Sequence, residues 1–386
     1  MSMSIKQTEH NKKEPLFHIV KRDNISPKKK IAFYAGAILL GLIVGGIICS
    51  LFSSKNPLDF FSSLFLGAFG TSRRIWLLLQ ESALLLGVSL ALAPAFKMKF
   101  WNLGGNGQIL MGCLSYVASM FYLGGKLPDI IVMIIGLVAG IIAGAIWALI
   151  PAIFKAFFNT NESLFTLMMN YIASGLVGMF ITIWVKTGSG VLTPLSKGVI
   201  PEIGNRYILT VALFFLLAVA MYVYLKYSKQ GYEISVVGES NNTAKYIGIN
   251  VRRVIIRTMI ISGAIAGLVG AFIGGAIDHT VSVTSASNMG FTAIMTSWLA
   301  AFNPLVMIAS CIFITFVSKG MTQVRKDFKF TNDAISNIVI GVVYFSVIAV
   351  TFFLSYKIIF REGTFDGIKR LFTKKAKTNN EKEEEV

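Results

Sequence analysis

Four uncharged amide side chains, Asn102, Asn106, Gln108 and Asn170, stand at or inside the boundaries of long apolar runs. An amide donates and accepts hydrogen bonds without carrying charge, so it suits recognition of neutral polar groups and not proton transfer. Buried in an apolar setting without a partner, an amide costs roughly 2–7 kcal/mol. Each of the four therefore has to bond either a neighbouring segment or a passing solute. Thr296, with Thr292 and Ser297 beside it, adds hydroxyls that line a cavity or bond back to their own helix. Glu81 is the one acid inside an otherwise apolar run. In that setting an acid is a functional candidate, or a carboxylate paired with a neighbour such as Arg73 or Arg74. Other chemistry lacks its residues. There is no glycine-rich loop ending in Gly-Lys-Ser/Thr to cradle phosphates, and no serine, histidine and aspartate set. The three histidines, His10, His18 and His279, lie outside the apolar runs and far apart. The chain is expected to be no enzyme by itself and to hold no cofactor and no metal.

The elements that must position these groups are helices long enough to cross a bilayer. Hydrophobic residues make up 54% of the 386 residues, above the roughly 45–50% of a soluble domain. Runs near the ~20-residue length that spans hydrocarbon recur along the chain. The pattern predicts helices over 31–52, 75–96, 108–123, 130–154, 164–185, 207–227, 258–277, a short 291–302, 304–318 and 336–359. The fold class is thus all-α, a polytopic transmembrane helical bundle of about ten spans. The net charge of +17 does not point to nucleic acid, because the lysines and arginines sit at span ends and in the tails, as the positive-inside rule requires. Ten crossings place both termini in the cytoplasm and the chain in the cell membrane. They put Lys97, Lys99, Lys155 and the 226–257 block inside, 186–206 outside, and the basic stretch 319–329 also outside. The run 31–52 is too long for a signal-peptide core, so no cleavable leader is expected. Cys49, Cys113 and Cys311 lie in apolar runs and read as small buried hydrophobes.

Three regions follow: a basic, disordered arm over 1–30, a membrane domain over 31–359 with a polar loop at 228–257, and a tail over 360–386. In the tail, Phe365, Ile368, Leu371 and Phe372 oppose Lys369, Arg370, Lys374 and Lys375, which suits a helix lying on anionic membrane lipid. Small residues at four-residue spacing, Gly136, Gly140 and Gly144, then Gly263, Gly267 and Gly270, predict close helix packing. Polar, glycine-containing breaks at 101–107 and 282–290 give the chain the look of a two-half pseudo-repeat, and transporters place their sites where such interrupted helices meet.

Four stretches carry a resemblance. The segment EISVVGESNNTAKYIGINVRRVIIRTMIISGAIAGLVG from Glu233 puts a polar, helix-compatible piece before a basic hinge, Arg252, Arg253 and Arg257, and a long apolar helix. It resembles the coupling loop of ABC-importer permeases. The stretch ALAPAFKMKFWNLGGNGQILMG resembles the FNIGxEGQ-type motif of sugar and nucleoside permeases, with Asn106 standing where those proteins usually carry Glu. NTNESLFTLMMNYIA resembles their NEVIxTLMLNYIA stretch; Asn161 is a fitting cap for a helix with Glu162 in its first turn. GFTAIMTSWLAAFNP is similar to a GFTGIAVALLGxxNP-like stretch. The four occur in the order of the branched-chain amino acid, simple sugar and nucleoside group, over residues 61–350.

The resemblance implies a permease subunit of an ATP-driven importer for a nucleoside or a simple sugar, with nucleoside favoured by the NLGGNGQ and TLMMNYIA variants. It implies four partners: an ABC ATPase subunit, a second homologous permease subunit, an extracytoplasmic substrate-binding lipoprotein, and membrane lipid. Nucleic acid is not among them. It implies that Glu239, Ala244, Tyr246, Gly248 and Ile249 belong to a short helix over 239–249 seated in the ATPase, with Asn241, Asn242 and Thr243 at its start. The alternative, an ion-coupled secondary transporter or channel for a small polar solute, needs buried charges as coupling sites, and Glu81 is nearly the only one.

Overall fold

All ten expected segments are helical, and three further helices join them. The computed structural model describes residues 17–22, 26–53, 55–186 and 190–360. Within these the helices are α1 (Pro27–Leu51), α2 (Pro57–Phe69), α3 (Ser72–Lys97), α4 (Gly105–Leu123), α5 (Asp129–Phe158), α6 (Glu162–Trp184), α7 (Ile208–Tyr227), α8 (Lys229–Glu239), α9 (Asn241–Tyr246), α10 (Val251–Phe272), α11 (Met289–Leu299), α12 (Pro304–Asp327) and α13 (Ala334–Ser355). A π-helical turn, Ile273–Ile277, continues α10. Among the described residues, eight helices are long and apolar enough to cross a membrane: α1, α3, α5, α6, α7, α10 with its π turn, α12 and α13. The protein is a multi-pass membrane protein. The other two expected spans have different characters: α4 has 19 residues and opens on Gly105, Asn106, Gly107 and Gln108, and α11 has only 11.

The chain divides into two units, residues 1–44 with 342–386, and residues 45–341. In the first, a two-stranded antiparallel ribbon joins β1 (Phe17–Lys21) to β2 (Tyr356–Phe360), with Phe17 opposite Phe360 and Lys21 opposite Tyr356. The reading of 1–30 as disordered falls for the most part outside the described residues, and that of the 364–377 helix entirely so. Within the described part of the arm, Phe17–Lys21 forms β1 and Pro27–Lys30 is the first turn of α1, so these residues are structured. The last helix stops at Ser355, four residues before the expected 359, because Tyr-Lys-Ile-Ile-Phe is a strand-forming run. Tyr34 and Thr351 share a 3.2 Å hydrogen bond in the same unit.

In the second unit, glycine sets the packing. A Cβ at Gly144 would stand 2.3 Å from the Gly263 carbonyl oxygen, one at Gly267 2.3 Å from that of Gly140, and one at Gly112 2.3 Å from that of Gly267. These are approaches no side chain permits, so α4, α5 and α10 meet backbone to backbone. The helix α2, which the interrupted apolar pattern of 53–74 conceals, packs in the same way. A Cβ at Gly67 would lie 2.9 Å from the Gly320 Cα.

The helix α12 runs antiparallel to α3. Ser89 lies opposite Cys311 at 3.6 Å, Glu81 pairs with Lys319, and Arg74 donates to Gln323 at 2.9 Å. The stretch 319–329 therefore sits at the Arg73–Arg74 end of α3 and not at its Lys97 end. Its positive charge is partly offset by acids: Lys319 by Glu81, and Arg325 by Asp333.

Candidate functional site

Two breaks in helical structure meet inside the second unit. The first lies between α3 and α4. Lys99 adopts φ +60°, and the chain crosses over residues 98–104 before α4 begins at Gly105. The second lies over residues 278–288, between the π turn and α11, where His279, Ser287 and Asn288 all have positive φ. Irregular backbone at that depth needs its polar groups satisfied by protein. Asn106 provides the joint: its Oδ1 accepts a 2.8 Å hydrogen bond from the Gly290 N–H. Glycine is required there, because a Cβ at Gly290 would lie 2.7 Å from the Asn106 nitrogen.

The four amides differ in how much bonding capacity they keep. Asn102 is fully buried and used at both ends. Its Oδ1 accepts from Gly104 N–H at 3.0 Å and from Gln108 Nε2 at 3.2 Å, and its Nδ2 donates to Ser262 at 3.2 Å. Asn170 is also used at both ends. It accepts from Gly107 N–H at 2.7 Å and donates to the Leu103 carbonyl at 2.8 Å, so α6 pins the first break. Thr166, one turn earlier, accepts from Leu103 N–H at 3.1 Å. Gln108 spends its nitrogen on Asn102, while its buried Oε1 has no protein partner among the described residues. Trp147 Nε1 is in the same position and lies beside Gly107, 3.0 Å from where its Cβ would be. Sequence reasoning missed Trp147, since a tryptophan in an apolar run carries no signal of what its N–H faces.

Thr296 is fully buried. It donates to the Ala293 carbonyl at 2.9 Å and shares a short hydrogen bond with Ser89 of α3. Ser297 similarly reaches Ala293 at 2.7 Å. Glu81 stands apart from this group, paired with Lys319, with side chains 43% and 30% exposed. The structure thus gathers Asn102, Asn106, Gln108 and Asn170 into one hydrogen-bonded knot, with Thr296 on the neighbouring half-helix and Glu81 elsewhere. The half-helix ends where Ala301 and Phe302 turn with positive φ. Asn303 then caps α12 by accepting from Leu305 N–H at 3.1 Å, with Pro304 at the first helical position.

The second candidate site is the polar segment between α7 and α10. Ser228 caps α8, accepting from Gly231 N–H at 2.9 Å. Ser240 caps α9, accepting from Thr243 N–H at 3.2 Å. The cap is thus one residue ahead of Asn241, Asn242 and Thr243, and the helix ends at Tyr246 rather than spanning 239–249. Ala244 is the buried residue of this short helix. Tyr246 is 93% exposed, Glu239 and Gly248 are exposed, and Ile249 is partly covered. Gly248 adopts φ +85°, which only glycine takes without strain.

Two contacts tie this segment to the spans. A Cβ at Gly238 would lie 2.1 Å from the Lys97 carbonyl oxygen, so α8 rests on the end of α3. Arg257 in α10 pairs with Glu233 in α8 at 3.0 Å. On the neighbouring loop, Asn161 caps α6 by accepting from Ser163 and Leu164 N–H groups, and Glu162 pairs with Lys155 at 2.8 Å.

Comparison with known proteins finds relatives along most of the chain. Residues 74–348 match the model of the branched-chain amino acid transport system permease component. The nucleoside ABC transporter permease protein NupB of Lactococcus lactis subsp. cremoris is 26% identical over 347 residues, covering 84% of this chain and 90% of that one. The guanosine ABC transporter permease protein NupP of Bacillus subtilis is 30% identical over 288 residues, covering 72% and 81%. The probable riboflavin import permease protein RfuC of Treponema pallidum is 25% identical over 290 residues, covering 73% and 76%.

Proposed function

From the premise that this chain belongs to the family of branched-chain amino acid transport system permease components, we propose that it is the membrane subunit of an ABC importer and carries a nucleoside. The observation that carries this reading is the α8–α9 segment. It lies outside the spans, presents an almost wholly exposed tyrosine, and is tied to α3 at Gly238 and to α10 at Arg257. A groove on a separate ATPase that grips Tyr246 and the Gly248 turn would move both helices together. Aromatic anchors of this kind dominate interface energies. Two relatives named for nucleoside or guanosine transport support the substrate class, as against a simple sugar. The same reading implies a second, homologous permease and an extracytoplasmic binding lipoprotein, with α8 and α9 and both termini on the cytoplasmic side.

The substrate path is assigned to the knot at the two breaks. Asn106 and Gln108 keep spare hydrogen-bonding capacity there, whereas Asn102 and Asn170 hold the backbone around them. Thr296 lines the same region from α11, whereas Glu81, paired with Lys319 away from the knot, is left off the path. An ion-coupled carrier would draw on titrating acids in the spans, and the Glu81–Lys319 pair offers a poor one. Uptake of labelled guanosine into vesicles loaded with ATP, with and without an ionophore, separates the two mechanisms. The proposal requires uptake that depends on ATP and survives the ionophore. Uptake abolished by the ionophore with ATP present would refute it.

A further inference from the structure

A pocket of about 530 Å³ opens between the end of α5 and the first turns of α10. Its lining is divided. Arg252, Arg253 and Arg257 supply three guanidinium groups, while Phe157, Ile256 and Ile260 supply an apolar wall. The charges are only partly answered. Arg257 is offset by Glu233 at 3.0 Å, yet its Nε is buried without a protein partner. Among the described residues, Arg252 and Arg253 pair with no acid. The Arg252 guanidinium stacks over the Phe157 ring at 5.3 Å, a contact that uses its face and leaves its N–H edge able to donate. Phe157 is 55% exposed and Ile260 37%.

We propose that this pocket binds the headgroup of an anionic phospholipid. A phosphate takes paired N–H donors from Arg252 and Arg253. The glycerol and the start of the acyl chains lie on Phe157, Ile256 and Ile260. The place in the fold selects a lipid over a soluble anion, because the pocket stands where a polar segment enters a membrane-spanning helix, at the depth of headgroups, and half of it is apolar. Basic pockets between spans on the cytoplasmic side are a recurrent form of lipid recognition. The consequence for transport rests on the function proposed above. Arg257 ties α10 to α8, and Arg252 follows α9 by six positions, so an occupied pocket stiffens the junction through which α9 would act.

The test uses the full chain in neutral detergent, with thermal stability followed against short-chain phosphatidylglycerol, short-chain phosphatidylcholine and inorganic phosphate. The proposal predicts saturable stabilisation by phosphatidylglycerol and none by phosphatidylcholine. It predicts affinity weakened about tenfold or more in the double variant Arg252→Gln/Arg253→Gln, since each charge-assisted pair is worth more than a neutral one. The Arg252→Lys/Arg253→Lys variant controls for folding and retains part of the binding. Equal response to inorganic phosphate would overturn the lipid assignment. Unchanged phosphatidylglycerol binding in the Gln variant, with loss of ATPase co-purification instead, would make this a protein-docking surface and overturn it as well. Because binding is read on the permease alone, it stands or falls apart from the transport mechanism. A separate comparison of ATPase stimulation in phosphatidylcholine nanodiscs with and without phosphatidylglycerol tests the consequence.

Discussion

Asn106 in α4 accepts a hydrogen bond from the Gly290 N–H at the start of α11, 2.8 Å away and 184 positions along the chain. That single contact joins the two helix breaks. Replacing Asn106 with Leu leaves the Gly290 N–H buried and unpaired, at a cost of about 1–3 kcal/mol. The variant is expected to melt lower in detergent and to lose most uptake at matched membrane abundance. Asn106→Glu restores an acceptor and should recover stability. If Asn106→Leu melts and transports like the parent chain, the joint is not needed.

Asn170 and Gln108 should separate support from recognition. Asn170→Leu removes two bonds to the 103–107 backbone and is expected to lower stability and uptake of every substrate alike. Gln108→Glu keeps the side-chain shape, replaces the Nε2 donor to Asn102 with an oxygen and puts a negative charge beside the free Oε1. It is expected to alter the preference among guanosine, other nucleosides and sugars. Competition uptake assays read the difference, and an unchanged preference would remove Gln108 from the substrate path.

The glycine seam gives a sharp contrast. Gly144→Ala drives a methyl to 2.3 Å from the Gly263 carbonyl oxygen, whereas Gly175→Ala meets nothing within 4 Å. The first should destabilise by about 1–3 kcal/mol through overpacking, and the second should stabilise by up to about 1 kcal/mol through helix propensity. Thermal unfolding of both variants in one detergent checks the sign of each.

Glu81 and Lys319 are both partly exposed, so their pair is worth about 0–1 kcal/mol. Glu81→Gln should leave uptake within about twofold, consistent with so small a term. The exchange Glu81→Lys with Lys319→Glu should transport better than Glu81→Lys alone, which sets two ammonium groups together. Loss of ATP-dependent uptake in Glu81→Gln alone would give this acid a direct role.

Much of this was legible in the residues, and what was not has physical reasons. The spans announced themselves by apolar length, and the Gly140–Gly144 and Gly263–Gly267 spacings marked helices that do meet. The polar breaks at 101–107 and 282–290 were visible as interruptions. Their contact was not, because a hydrogen bond between Asn106 and Gly290 leaves no local trace. The helix α2 was hidden by its 13 residues, too few to read as a span. The Ser240 cap lost out to Asn241, Asn242 and Thr243, three equally good capping residues in a row. The partner of Glu81 was sought at Arg73 and Arg74, which are near in sequence. The antiparallel run of α12 brings Lys319 instead.

The central claim is that α9 and the turn after it transmit the work of a separate ATPase. Substrate-stimulated ATPase activity of the reconstituted complex measures this directly, using Tyr246→Asp at the exposed anchor and Gly248→Val at the positive-φ turn. The account predicts that both variants insert normally, keep their melting temperature to within a few degrees, and lose most of the stimulation. Normal stimulation together with normal co-purification of the ATPase in both variants would contradict it.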